Sequence, residues 1–125
     1  MAIFSEMDEE AQDKVLQKYN HRILAIMEGK AKLRERRKTV VLTNDEDLEI
    51  ETGLLRLQAA ADDLLDEKAA LKLSAKSIRP PSEDELKELR GEVEAIHDLN
   101  AKSKRASAII AAVVEVAGNL PTSRA

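Results

Sequence analysis

The sequence predicts an all-α protein built as a single elongated antiparallel three-helix bundle. Three observations carry that expectation. A hydroxyl-x-x-acid signal recurs, as Ser5-x-x-Asp8, Thr43-x-x-Glu46 and Ser82-x-x-Glu85. From each signal an apolar pattern with helical spacing runs for roughly thirty residues, giving helices over about 6–38, 44–77 and 83–117. The expected helix ends also carry matched charge, acidic at each start and basic at the first two closes.

The signals read as capping boxes. The hydroxyl accepts a hydrogen bond from the amide three residues on, and the acid reaches back to the hydroxyl residue's own amide. The first box is the weakest, because Asp8 is a poorer third member than Glu. Within the first helix Met7, Ala11, Val15, Tyr19, Ile23, Ile26 and Leu33 lie near one face, with Leu16, Leu24 and Met27 beside it. Thr39-Val40-Val41-Leu42 connects to the second helix as a β-branched run for which no partner strand is evident.

The second helix has the clearest period. Ile50, Leu54, Leu57, Ala61, Leu64, Lys68, Leu71, Ala75 and Ile78 follow alternating steps of four and three, a heptad seam. Leu48, Leu55, Leu65 and Leu73 widen the stripe toward a second neighbour. Gly53 costs roughly 1 kcal/mol against Ala inside a helix, which a close backbone approach would explain. Ile78-Arg79-Pro80-Pro81 separates this helix from the third, since a residue before proline avoids the helical region.

The third helix begins with Leu86, Leu89, Val93 and Ile96. Its stripe then slips by one short step and continues as Leu99, Ser103, Ala106, Ile110, Val113 and Ala117, the pattern of a stammer that overwinds one continuous helix. Gly118-Asn119-Leu120-Pro121 reads as the stop, and 121–125 as a frayed tail of a one-domain chain, residues 1–125.

The end charges fit an up-down-up order. The first helix closes on Lys30, Lys32, Arg34, Arg36, Arg37 and Lys38, and the second opens on Asp45, Glu46, Asp47, Glu49 and Glu51. The second closes on Lys72, Lys76 and Arg79, and the third opens on Glu83, Asp84, Glu85 and Glu88. Each end suits its own macrodipole, and antiparallel neighbours bring basic ends beside acidic starts.

Composition narrows the function classes. The chain holds no Cys and no Trp, one Phe and one Tyr, and 35% charged residues. Disulfide scaffolds and thiolate chemistry are excluded, and a reducing compartment follows, so the expected location is cytoplasmic. The first ten residues lack the apolar run of a secretory signal. The most apolar stretch, 106–118, is too short to span a bilayer and lacks the flanking features of a membrane-surface helix. The net charge of −4 is uneven: +2 over 1–43, −5 over 44–78 and −1 over 79–125.

Five constellations in the sequence could carry chemistry or binding. The basic run offers Lys30, Arg34, Arg37 and Lys38 as a docking surface for an acidic partner. As a nucleic-acid site it lacks interleaved aromatics and is interrupted by Glu28 and Glu35, and an ordinary solvated helix end explains it as well. Glu94-x-x-His97 has the spacing of a di-iron helix, but the other histidine, His21, has Lys18 at the matching position. Glu46-x-x-Glu49 and Asp63-x-x-Asp66 are the acids a Mg²⁺-dependent helical nucleotide hydrolase would use, but they share one helix and fall mostly outside its apolar stripe, whereas Mg²⁺ needs carboxylates that converge. Tyr19, Ala59-Ala60-Ala61 and Asn100 fall near one level, with Asn100 or Ser103 expected to satisfy the phenol.

The fifth constellation decides the functional expectation. From Ala106 to Ala117 the helix is apolar nearly all round, more than a three-helix bundle can cover. Either the 39–43 connection folds over it or another chain does. The second alternative makes Ile109, Val113, Val116, Val40 and Val41 a partner interface. The sequence thus points to a non-enzymatic protein-binding module, an adaptor or an immunity- or antitoxin-type cover, with another protein or a second copy as partner. No catalytic residue, cofactor, metal or membrane enters this expectation. The Mg²⁺-dependent hydrolase is the alternative, and weak nucleic-acid binding through the basic end stands third.

Overall fold

Among the described residues four helices, not three, make up the bundle. The computed structural model describes residues 2–118, and Asn119, Leu120, Pro121 and the expected 121–125 tail lie outside them. The helices are α1 (Glu9–Thr39), α2 (Asn44–Ala70), α3 (Glu83–His97) and α4 (Ala106–Ala117). Two short strands, β1 (Ala2–Ile3) and β2 (Ser77–Ile78), pair antiparallel, Ala2 opposite Ile78 and Ile3 opposite Ser77. The all-α expectation holds; the three-helix expectation gives way to four because the third helix breaks at 98–105.

The capping signals account for three of the four starts. Ser82 and Glu85 form a complete box: Ser82 Oγ accepts from the Glu85 amide at 3.1 Å, and Glu85 Oε1 accepts from the Ser82 amide at 3.2 Å. Thr43 caps α2 through the Glu46 amide. The first box is shifted. Ser5 sits in a 3-10 turn, Phe4–Glu6, and Asp8 is itself the cap, accepting from the Ala11 amide at 2.8 Å. Asp is a strong N-cap, and Glu9 and Glu10 behind it favour the helix dipole.

α2 ends earlier than its heptads predict. After Ala70 the chain tightens into a 3-10 turn, Leu71–Leu73, and then extends. The Ser74 hydroxyl accepts from the Lys76 amide, offering the backbone an alternative to the helix. Leu71 packs with Phe4 and Val15 in a small second core, which the β1–β2 pairing closes.

The break after α3 reverses the chain. Asn100 Oδ1 accepts from the Lys102 amide, and the Ser103 hydroxyl donates to the Asn100 carbonyl. These side chains compete with helical bonding. The slip after Ile96 is therefore a helix end and not a stammer. α3 runs alongside α1 in the same direction, with Glu83 beside Lys14 at its start and His97 beside Glu28 at its close. α4 runs back: Val113 meets Gly29, and Ala117 meets Arg22. Up-down-up becomes up-down-up-down, and α1 contacts all three other helices.

This reversal supplies the cover that α4 needs. It packs against α1, α2 and α3 at once. Ile109 and Val113 are fully buried with Ile26, Leu33, Ile50, Leu57 and Ile96. Two glycines let α4 approach. A Cβ at Gly29 would run into the Val113 Cγ2 methyl, and one at Gly53 would lie 2.6 Å from Ile110 Cδ1. The neighbour that Gly53 admits is the end of the Ile110 side chain, where a backbone approach was expected. α2 does gain a second neighbour, but it meets α4 through Gly53, and Leu48, Leu55, Leu65 and Leu73 stay exposed.

Candidate functional site

The most highly connected polar cluster sits where α1 ends, α2 begins and α4 begins. Arg36 lies on the α2-facing side of the last turns of α1, and Glu46 in the first turn of α2. Both are buried, and the guanidinium holds the carboxylate through two bonds, Nε to Oε2 at 2.7 Å and Nη2 to Oε1 at 3.1 Å. Nη1 also donates to the carbonyls of Ala101 and Lys102, both at 3.0 Å. Glu46 Oε2 accepts from the Ala106 amide at 2.9 Å. α4 begins after Arg105, which supplies no side-chain cap, so an acid from α2 caps it instead. Hydrogen bonding by Arg36, then by the Ala106 amide, holds the Glu46 carboxyl below its ordinary range. With every oxygen and four guanidinium bonds committed inside the chain, this cluster is a structural clasp.

The expected basic docking surface is partly consumed by the fold. Lys30 is buried and donates to the Gln58 side chain, which in turn donates to Asp62. Arg37 pairs with Asp47 at 3.1 Å and Glu51 at 3.7 Å. Arg34 and Lys38 remain exposed.

The expected partner interface divides in the same way. Ile109 and Val113 lie inside this chain's own core, and neither is available to another chain. Val116 is half-buried against that core. Val40 is half-buried and Val41 is 100% exposed. The 39–43 connection contributes Leu42 to the core edge, while the three neighbouring helices cover α4.

Other expected constellations come apart. His97 Nδ1 pairs with Glu28 of α1 at 2.9 Å. Glu46 is spent on Arg36, and Glu49 lies 3.9 Å from Arg105. Among the described residues no group of three or more His, Asp or Glu side chains is placed to hold a metal ion. Tyr19 lies beside Glu67, far along α1 from the Arg36 end where Asn100 sits, and burial followed by the Glu67 charge raises its pKa. Lys68 reaches Asn20 Oδ1 at 2.7 Å. No helix among the described residues is long and apolar enough to cross a membrane.

The His97 pair gives a pH-dependent contribution. The Glu28 hydrogen bond and charge raise the His97 pKa above its ordinary value. Its stabilisation is complete below the unfolded value of about 6.5 and is lost as pH rises through the folded value. His97→Gln should therefore lower the urea midpoint more at about pH 5.5 than at about pH 8.5. His21 acts in the opposite sense, because burial and then Arg90 lower its pKa. Equal loss at both pH values in His97→Gln would show that the pair is not the source.

What remains on the surface is an apolar strip that the heptad analysis assigned to the interior. Leu48 is 65% exposed and Leu55 70% exposed. They are seven residues apart on α2 and so share a face. Leu48 lines a groove of about 520 Å³ between α2 and α4, with Thr52, Gly53, Ile110, Ala111 and Val114. Asp45 and Arg56 stand on its rim. The sequence carried a usable signal: both leucines lie off the Ile50-Leu54-Leu57 seam, and Glu49, Glu51, Thr52 and Arg56 surround them.

No family model, curated protein or solved structure matches this chain. The surface chemistry is therefore the basis for assigning a role.

Proposed function

We propose that this protein is a non-enzymatic protein-interaction module, of adaptor or immunity type, and that it binds through the α2–α4 face. The observation that carries this reading is the pair Leu48 and Leu55, exposed together beside an apolar groove. Single exposed leucines are ordinary, but two on one helix face beside an apolar groove with a polar rim suit an interaction surface. The groove is lined by Leu48, Ile110, Ala111 and Val114, with Asp45 and Arg56 at its edge. The polar clusters, by contrast, are occupied within the chain: Arg36, Glu46, Lys30 and Arg37 all have partners in this molecule.

Site-directed photocrosslinking in the native host tests this reading. A crosslinking side chain at position 55 should give a discrete protein adduct. The same side chain at exposed Gly91 on α3, which has no atom within 4 Å of a built Cβ, should give none. No adduct from position 55, with one from position 34 or 38, would move the contact to the basic end and overturn the proposal.

A further inference from the structure

We infer that the occupant of the α2–α4 face is a second copy of this chain, with the two α2 helices antiparallel across a twofold axis near Glu51. The inference rests on the interaction-module reading and adds the identity of the partner. The reason is self-complementarity along one strip of one helix.

Asp45 and Arg56 both line the groove. Among the described residues neither side chain makes a hydrogen bond or ion pair, although most charged groups around them do. Eleven residues separate them, three helical turns, so they lie on nearly the same line of α2 and roughly 16 Å apart. Leu48 and Leu55 lie between them on the adjoining line.

In an isologous pair, residue i of one copy meets j of the other while j meets i. The axis that sets Asp45 against Arg56 of the second copy crosses α2 between Ile50 and Glu51. The axis that sets Leu48 against Leu55 of the second copy crosses between Glu51 and Thr52. The two demands differ by a single residue, well within the reach of an arginine side chain. One rotation therefore buries four leucines and forms two ion pairs, with each charge meeting a side chain that has no partner among the described residues of its own chain. A parallel pairing would instead set Asp45 against Asp45 and Arg56 against Arg56.

Sedimentation equilibrium over a wide concentration range tests this directly, with helicity followed by circular dichroism. The parent should form a dimer. Leu48→Glu and Leu55→Glu should be folded and at least about tenfold weaker in self-association. Asp45→Arg alone and Arg56→Asp alone should each weaken the dimer, because each places like charges opposite one another. Mixing these two single variants should restore dimers, since the heterodimer has two opposite-charge pairs. That restoration separates an interface effect from any loss of helix stability caused by a base in the first turn of α2. A parent that stays monomeric throughout overturns the inference. In that case a position-55 adduct with a different protein leaves the interaction-module reading standing, whereas no adduct removes both. A dimer unaffected by Leu48→Glu, or no restoration on mixing, also overturns it.

Discussion

Replacing Glu46 with Ala should destabilise the fold by about 3–5 kcal/mol, the range for removing one partner from a buried ion pair. The loss has three parts. Arg36 keeps only the Ala101 and Lys102 carbonyls, its charge is left without a counter-ion in a buried site, and the Ala106 amide loses its acceptor at the start of α4. Chemical denaturation gives the size. Removing both charges, with Arg36→Met and Glu46→Leu together, should recover part of the loss, since no charge is then buried alone. Recovery stays incomplete because the backbone groups of the 98–105 turn lose their partners. The same pair sets the acid response. The Glu46 pKa is lowered in the folded state, so its stabilisation is present above the ordinary carboxylate range, about 4.3, and is lost as pH falls through the folded value. Parent and Glu46→Gln should differ at neutral pH and converge on acidification. A loss below about 0.5 kcal/mol for Glu46→Ala, the size typical of surface sites, would show that the clasp does not hold α4.

Ile109→Glu should abolish the native fold of the monomer. Ile109 is fully buried, in one core with Ile26, Leu33, Leu57 and Val113. A carboxylate there must either ionise without a partner or stay protonated far above its normal range, and either costs several kcal/mol. Total stability for a domain of this size is only about 5–15 kcal/mol. Ala108→Glu, one residue away and exposed, is the control and should fold. Circular dichroism with thermal melting separates the two. A folded Ile109→Glu that merely lost self-association would return this residue to the surface, where its place in an apolar helix first suggested it.

Local features of this protein were set by neighbouring residues, and these were legible. The Thr43 and Ser82 caps act within one turn of their own helix. The Ile50-Leu57-Leu64 seam follows from helical geometry alone, and all three residues are buried. The Pro80-Pro81 boundary precedes α3. The excess apolarity of 106–117 was also a correct signal, because a helix covered on most sides must be apolar on most sides.

What covers that helix was decided only in three dimensions. A heptad slip can mean an overwound helix or a broken one, and the residues of the slip carry both meanings. The break is favoured because Arg36 and Glu46, about sixty residues away in sequence, satisfy the carbonyls and amide that the turn exposes. Once α4 folds back, Val113 and Ile110 fill the space beside Gly29 and Gly53, and α2 has no side left for Leu48 and Leu55. Period alone assigns a leucine to a stripe; the position of the neighbouring helix decides whether that stripe is core or surface. The sequence by itself therefore determined helix identity, two of the caps and the principal seam, each fixed by contacts within a few turns. The tertiary structure decided the fourth helix, the clasp and the exposed α2–α4 face, because each depends on groups distant in sequence meeting across the bundle.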